Sequence, residues 1–379
     1  MARLGDVATF INGYAFKPED WSSTGLPIIR IQDLTGNSYQ ANRYNGDYAK
    51  KYEVNEGDIL ISWSASLGVY VWHGEKALLN QHIFKVVFDK VEISKNFFVY
   101  QVESILEKAA SAAHGATMKH LTKPVFDALP FYLPPLDEQR KIAAVLDKVS
   151  DLIAKRRQQL DKLDTLVKAR FVEMFGDPEN NPKKWPVKKL AAVVSSITAG
   201  WSVNGEARSR NTGEKAVLKV SAVTQGFFRP DEYKVISADM EIKKYVYPQK
   251  GDLLFSRANT RELVGATAVI EQDYPELLLP DKLWKVLFTN EMDVYYAKHI
   301  LSTQAIRKVF SSQSTGTSGS MFNVSTEKFR ETMIPVPPIM LQHEFANFVQ
   351  QTNKSKSEVI QSLEKLKTLK KSLMQQYFE

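Results

Sequence analysis

The chain contains no cysteine. That absence excludes disulfide scaffolds, thiolate zinc sites, iron–sulfur clusters and a cysteine nucleophile. No apolar run approaches the roughly 18 residues that a membrane-spanning helix needs, so no membrane partner is expected. The stretch Met1 to Tyr14 lacks a charged segment followed by an apolar one, so a secretory signal is not expected either. Phosphate-cradling motifs are missing: neither G-x-G-x-x-G nor G-x-x-x-x-G-K-[ST] occurs. The six histidines, at 73, 82, 114, 120, 299 and 343, never fall at the H-x-x-x-H spacing of a metal-binding helix. A Ser/His/Asp site has no handle in the sequence. The charge excess is modest, 50 Lys and Arg against 43 Asp and Glu for a net +7. That balance permits a polyanionic partner without demanding one. The expectation is a cytoplasmic protein with no metal and no cofactor in its own chain.

What is present is a core and a repeat. An apolar fraction of 44% with 11% aromatics suffices for packing, and 379 residues suggest two or three domains. Lys51-Tyr52 followed by Glu56-Gly57-Asp58-Ile59-Leu60-Ile61-Ser62 reappears as Lys244-Tyr245 followed by Lys250-Gly251-Asp252-Leu253-Leu254-Phe255-Ser256, a shift of about 194. Phe84-Lys85-Val86-Val87-Phe88 answers Trp284-Lys285-Val286-Leu287-Phe288. Leu133-Pro134-Pro135-Leu136 with Gln139 answers Val336-Pro337-Pro338-Ile339 with Gln342, at a shift of 203 that then stays constant to the end. In that register Phe171 meets Met374 and Phe175 meets Phe378. Insertions collect in loops, and a long helix tolerates none without turning its face. Each half is therefore a variable globular part followed by a rigid one.

The globular parts, 1–135 and 186–338, read as mixed α/β. Pro27 to Ile31 and Ala216 to Val220 are short β-branched runs. Gly57-Asp58 and Gly251-Asp252 read as turns entering buried strands. Phe97 to Ala110 and Val294 to Phe310 carry helical spacing. The rigid parts, 136–176 and 339–379, read as long helices joined by a linker at 177–185. Asp137 is the expected N-cap of the first, and Gly176 with Asp177-Pro178 ends it. Its apolar stripe runs Ile142, Val145, Val149, Leu152, Leu160, Leu163, Val167, Phe171 and Met174; the twin runs Phe345, Phe348, Thr352, Val359, Leu363, Leu366, Leu373 and Tyr377. At 1.5 Å per residue each helix is about 60 Å long, and a narrow apolar stripe needs a partner. The two stripes supply one another, predicting an intramolecular antiparallel coiled coil. A pseudo-twofold dumbbell follows, with Glu379 returning near Met1.

Catalytic candidates are few. Asp231, Glu241 and Lys243 mimic the PD…(E/D)xK pattern in which carboxylates hold Mg²⁺ and a lysine helps activate water. The first repeat, however, has Tyr48 where the second has Glu241. The glycine-rich run Thr315 to Ser320 lacks the lysine of a nucleotide loop. The loops between matched blocks instead carry side chains that read DNA. In the first copy these are Asn12, Tyr14, Lys17, Ser64, Ser66, Asn80, Gln81, His82, His114, Thr117, Lys119 and His120. In the second they are Trp201, Ser202, Asn204, Arg208, Arg210, Arg257, Asn259, Thr260, Arg261, Gln313, Thr315, Thr317 and Ser318. Arginine pairs bidentately with guanine and Asn or Gln with adenine, while Ser, Thr and Lys reach phosphates.

The whole chain resembles the DNA-specificity subunits of type I restriction–modification enzymes. The resemblance rests on Arg3-Leu4-Gly5-Asp6-Val7 with Lys189-Leu190, on the segments 57–62 and 251–256, and above all on Leu133-Pro134-Pro135-Leu136-Asp137-Glu138-Gln139-Arg140-Lys141-Ile142. The second copy departs from it, with Met340-Leu341 in place of the acidic pair Asp137-Glu138. The resemblance implies an α+β chain of two tandem target-recognition domains, each reading half of a bipartite double-stranded DNA site. It implies that the helices set the gap and dock two methyltransferase subunits, with a restriction and translocase subunit in the larger complex. S-adenosylmethionine, ATP and Mg²⁺ would then sit on partners, and this chain would be non-catalytic. Two other readings stay open here: the Mg²⁺ nuclease, and a purely structural coiled-coil adaptor.

Overall fold

The computed structural model describes residues 1–36, 42–64, 66–112, 122–313 and 322–378, with residues 111, 112 and 313 by their backbone. The chain divides into two compact units, 1–158 with 360–379 and 159–359. Among the described residues no helix is long and apolar enough to cross a membrane.

In the first unit a four-stranded antiparallel sheet has the order Thr9–Asn12, Ile83–Val87, Ile59–Ser62, Gly68–Val71. A second sheet pairs Leu26–Ile29 in parallel with Ala77–Leu79, Ile28 opposite Leu78 and Ile29 opposite Leu79. The second unit repeats this plan. Its four-stranded sheet runs Val194–Ala199, Leu283–Phe288, Leu253–Ser256, Thr267–Val269, and Ala216–Leu218 pairs in parallel with Leu277–Leu278. The Gly-Asp turns enter buried strands as expected. Gly57 and Gly251 take φ of 82° and 87°, where a side chain would be strained. The carboxylates of Asp58 and Asp252 then accept from Asn55 N (2.9 Å) and Gln249 N (2.6 Å), closing both turns.

Several local expectations change. The runs from Pro27 and Ala216 are strand only to Ile29 and Leu218, and then turn into short helices at Ile31–Leu34 and Val220–Ala222. Lys95–Ala112 is one helix, but the run from Val294 breaks into Val294–Leu301 and Gln304–Gln313. Ser302 and Thr303 cause the break, their hydroxyls donating back to Lys298 O (2.7 Å) and Ile300 O (2.7 Å).

The long helices span Leu136–Phe175 and Ile339–Phe378. The first begins one residue before Asp137, so Asp137 lies in its first turn and is not the N-cap. The fastening falls to Gln139, which is 2% exposed. It donates to Pro134 O (2.8 Å) and accepts from Ser94 N (3.0 Å), just ahead of the helix Lys95–Ala112. Gln342, fully buried, donates to Pro337 O (2.7 Å) and Glu291 O (3.0 Å) and accepts from Asp293 N (2.9 Å). The acidic pair is dispensable in the second copy because the glutamine does the work in both. At its end the first helix is closed by Gly176 (φ 81°) and by the Trp185 indole, which donates to Phe175 O (3.0 Å).

Each unit contains segments of both long helices, packed together. In the second unit Arg170 meets Glu344 (2.8 Å), Lys356 meets Asp164, and Phe171 and Phe175 lie 5.4 and 5.5 Å from Phe345. Moving back along one helix from 170 to 164 moves forward along the other from 344 to 356, so the pair is antiparallel. In the first unit Ile142, Ala143 and Leu146 share a core with Met374. Glu379 lies outside the described residues; Phe378 packs 5.5 Å from Phe97, in the core that also includes Ala2. The stripe is only partly as expected. Val145 and Leu152 are 40% and 38% exposed, while Ala143, Leu146 and Ile153 face inward in their place. A straight helix at 3.6 residues per turn drifts off a fixed seven-residue register, which moves the buried face sideways.

Candidate nucleic-acid interface

In the first unit two connections are stitched together at one end of the four-stranded sheet. Gly13 N donates to Ile83 O (3.2 Å), Tyr14 N to Leu79 O (2.8 Å) and Gln81 N to Tyr14 O (2.8 Å). The approach is so close that a Cβ on Gly13 would lie 2.0 Å from Asn80 O. The result brings Asn12, Tyr14, Asn80, Gln81 and His82 together, with Tyr14 and Gln81 exposed. His82, just before the strand Ile83–Val87, has φ of 72°, an uncommon conformation for a residue with a side chain. The amide oxygen of Asn80 is buried without a hydrogen-bond partner among the described residues.

Trp63 completes this cluster. Its backbone N donates to His82 O (3.2 Å) and its indole to Asn12 Oδ1 (3.3 Å). Its ring is 5.0 Å from His82 and stacks 5.6 Å from Phe84. Ser64 is buried and Ser66 is exposed; Ser66 N donates to Ser64 O (2.6 Å) and the Ser62 hydroxyl donates to Ser66 O. Lys17 is exposed before the short turn Pro18–Asp20, 3.4 Å from Glu19. His114, Thr117, Lys119 and His120 lie outside the described residues.

The second unit builds the same corner from different side chains. Trp201 N donates to Leu279 O (3.0 Å), and a Cβ on Gly200 would lie 1.8 Å from that oxygen. The Ser202 hydroxyl donates to Asp281. Arg257 takes the place of Trp63. Its N donates to Lys282 O (3.0 Å), its O accepts from Val324 N (2.8 Å), and its guanidinium lies 5.8 Å from the Trp284 ring. Arg257 Nε is buried without a partner among the described residues. Asn259 lies on the short strand Ala258–Asn259, paired with Phe322–Asn323, and its Oδ1 accepts from Thr260 N (2.9 Å). Thr260 and Arg261 are exposed beyond it, as is Asn204 in the loop after Ser202.

Arg208 and Arg210 are held elsewhere. Arg208 grips Glu214 with two nitrogens, each at 2.8 Å, which pushes that carboxyl down to about 2. Arg210 is 3.0 Å from Glu276. Both arginines brace the loop around Asn211. Gln313 ends its helix, and Thr315, Thr317 and Ser318 lie outside the described residues. Asp231 lies 3.5 Å from Arg229, and among the described residues no group of three or more acidic or histidine side chains is arranged to hold a metal. The nuclease reading gains nothing from this geometry.

Sequence reasoning does not single out Trp63, Asp281 or Lys282. A signal is nonetheless available: Trp63 and Arg257 each follow the serine that closes the Gly-Asp strand, and Lys282 precedes its matched strand as His82 does.

The two units thus repeat one sheet-and-helix plan, and each carries a corner of polar, aromatic or cationic side chains held by matching main-chain hydrogen bonds. The chain belongs to the type I restriction modification DNA specificity domain family, whose model matches residues 1–164 and 182–370. It is 23% identical over 386 residues to the type I restriction enzyme EcoKI specificity subunit of Escherichia coli strain K12, covering 93% of this chain and 81% of that protein. It is 25% identical over 400 residues to the MjaVIII specificity subunit of Methanocaldococcus jannaschii, covering 97% and 91%. The match to the EcoBI specificity subunit of Escherichia coli, 29% over 168 residues, covers 44% of this chain and only 35% of that protein. The fold is similar to that of the type I restriction–modification S subunit from M. genitalium, with a TM-score of 0.57 at 13% identity, over 100% of this chain and 95% of the other.

Proposed function

We propose that this chain is the non-catalytic specificity subunit of a type I restriction–modification complex, and that each unit reads one half of a split DNA sequence. The observation that carries the reading is the repeated corner, in which the same backbone stitching presents different side chains in the two units. A rigid strand end is a better platform for base readout than a free loop. Asn12, Tyr14, Gln81 and His82 with Trp63 form the reading set of the first unit. Arg257, Asn259, Thr260 and Arg261 with Trp201 and Lys282 form that of the second. Arg208 and Arg210, engaged by carboxylates, brace the loop around Asn211 and stand outside the second set. The different chemistry of the two corners supports two different half-sites.

The long helices serve as the spacer and as the docking surface for methyltransferase subunits. Each unit leaves apolar side chains exposed on its helix segments, Val145, Leu152 and Leu369 in the first and Leu166, Val172 and Met340 in the second. Such rows on otherwise polar helices suit a protein partner. Methyl donor, ATP and Mg²⁺ belong to the partner subunits, and the target adenine would be flipped into a partner's pocket.

Methylome sequencing of cells expressing this chain with its methyltransferase partner tests the proposal. The expected result is methylation at a bipartite sequence. Replacing residues 1–135 with the corresponding domain of a relative should change one half-site and leave the other. Inserting about one turn, four residues, into both long helices should widen the gap and leave both half-sites unchanged. Methylation that ignores the domain swap would refute direct reading and favour a structural adaptor.

A further inference from the structure

The repeated segment Lys50-Lys51-Tyr52 and Lys243-Lys244-Tyr245 has no role in the corners just described, yet it stands beside both. In the first unit Tyr52 lies 5.6 Å from Tyr14, and the Lys51 ammonium lies 5.0 Å from the Tyr52 ring. In the second unit Lys244 donates to Ala199 O (2.6 Å), the residue before the Gly200-Trp201 turn, and Lys215 sits 4.3 Å from the Tyr245 ring. The lysines of both triples are exposed. Among the described residues none of them is within ion-pair distance of a carboxylate, although nearby Lys76 reaches Glu53 at 2.8 Å. Side chains at the corners themselves diverge between the units, whereas these cations persist at matched positions. A contact that must differ between half-sites reads bases; one that stays the same recognises what every duplex shares.

We propose that the two Lys-Lys-Tyr segments are sequence-independent phosphate clamps, one per unit, that set each corner against the DNA backbone. The inference rests on the DNA-reading function proposed above and assigns its positioning residues. In the first unit the Tyr52 ring beneath Lys51 limits the conformations that the long side chain gives up on binding, and the cation's attraction to the ring orders it in advance; in the second unit the Tyr245 ring holds Lys215, and Lys244 is held by its bond to Ala199 O. Phosphate contact adds affinity and a steep salt dependence but no base preference.

The test uses the full chain assembled with its methyltransferase partner and a duplex carrying the sequence methylated in cells. Binding is measured over a range of salt for the wild type, for Lys50→Gln with Lys51→Gln, and for Lys243→Gln. Lys244 is left intact because its hydrogen bond is structural. Removing one lysine–phosphate pair should reduce the slope of log K against log salt by about 0.9. The slope should therefore fall by about 1 to 2 for the double variant and by about 1 for the single, with the methylated sequence unchanged. Lys50→Arg with Lys51→Arg should restore the slope, which separates charge from folding. A slope unchanged by the Gln variants, a shifted methylation sequence, or loss of methyltransferase assembly in place of DNA affinity would each overturn the clamp while leaving the reading function standing. A wild-type complex with no sequence-dependent binding would remove both.

Discussion

At the same step of the repeat, Trp63 lies on Phe84 in the first unit and Arg257 lies over Trp284 in the second. A flat side chain on an aromatic ring is thus the common device, and its charge is the variable. The backbone around it hardly changes: Trp63 N donates to His82 O, and Arg257 N donates to Lys282 O. The contrast separates two layers of the design. Hydrogen bonds between main-chain groups place the corner and do not depend on side-chain identity. The side chains projecting from it are then free to differ, so that one unit offers a neutral aromatic surface and the other a cationic one. The same separation is visible below the sheets. Gln139 and Gln342 are retained because their partners are backbone groups, while the neighbouring Asp137-Glu138 gives way to Met340-Leu341.

This comparison can be broken at several depths. The largest effect is expected in the cores. Phe171 and Met374 are repeat equivalents, but Phe171 packs on Phe175, Tyr296 and Phe345. Phe171→Ala should cost about 3–5 kcal/mol and Met374→Ala about 2–5 kcal/mol. Hydrogen exchange resolved by unit is the measurement, and each loss should be confined to the unit whose core contains the residue.

Next come the glutamines. Gln342→Ala strands three backbone partners and Gln139→Ala two, so the first should destabilise more, by about 3 kcal/mol against about 2 kcal/mol. Equal effects in calorimetric unfolding would mean that the hydrogen bonds are not what fastens the helices.

At the corners, Arg257→Ala should weaken binding to duplex DNA by about 1–3 kcal/mol if its guanidinium pairs bidentately with a base, and relax one base position in one half-site only. Arg261→Ala is the companion variant. Methylation motifs unchanged at that position would show that Arg257 holds backbone and reads nothing.

The smallest effect concerns pH. His299 packs against Phe171 and Phe345, and its Nδ1 donates to Tyr295 O (2.8 Å). Desolvation, aided by the positive charges of Lys298 and Lys356, pushes it down to about 3 from 6.5. The unfolded chain therefore takes up a proton below pH 6.5 that folded unit two refuses. The stability is complete above pH 6.5 and declines as pH falls toward 3. The counterpart in the first unit is Tyr100, whose hydroxyl donates to Asp147 (2.8 Å) and which has no such titration. The second unit should lose protection between pH 7 and 5 more steeply than the first, and His299→Phe should flatten that difference. A slope that survives the substitution would assign the effect to carboxylates.

Much of this is legible in the linear order of residues. The repeat register locates the Gly-Asp turns, the paired strands and both 40-residue helices, because turn chemistry and periodicity act over a few neighbouring positions. It also places Asn12, Tyr14, Asn80, Gln81 and His82 among the candidates, although their separation along the chain gives no sign that they meet. Arg208 and Arg210 look as available as Arg257, since only the folded loop shows Glu214 and Glu276 beside them. Trp63 is missed because an aromatic after a buried strand reads as core until its ring is seen against His82.

Family, duplication, helix length and the antiparallel pairing of the stripes can all be argued from residue types and spacing, since each is a property of local preference repeated at a fixed interval. Which residues of a stripe turn inward, which arginines are already engaged and which distant loops close into one corner cannot. Those outcomes depend on contacts between segments far apart in the chain. They are settled by packing density and by the need of every buried polar group for a partner, and both exist only once the chain has folded.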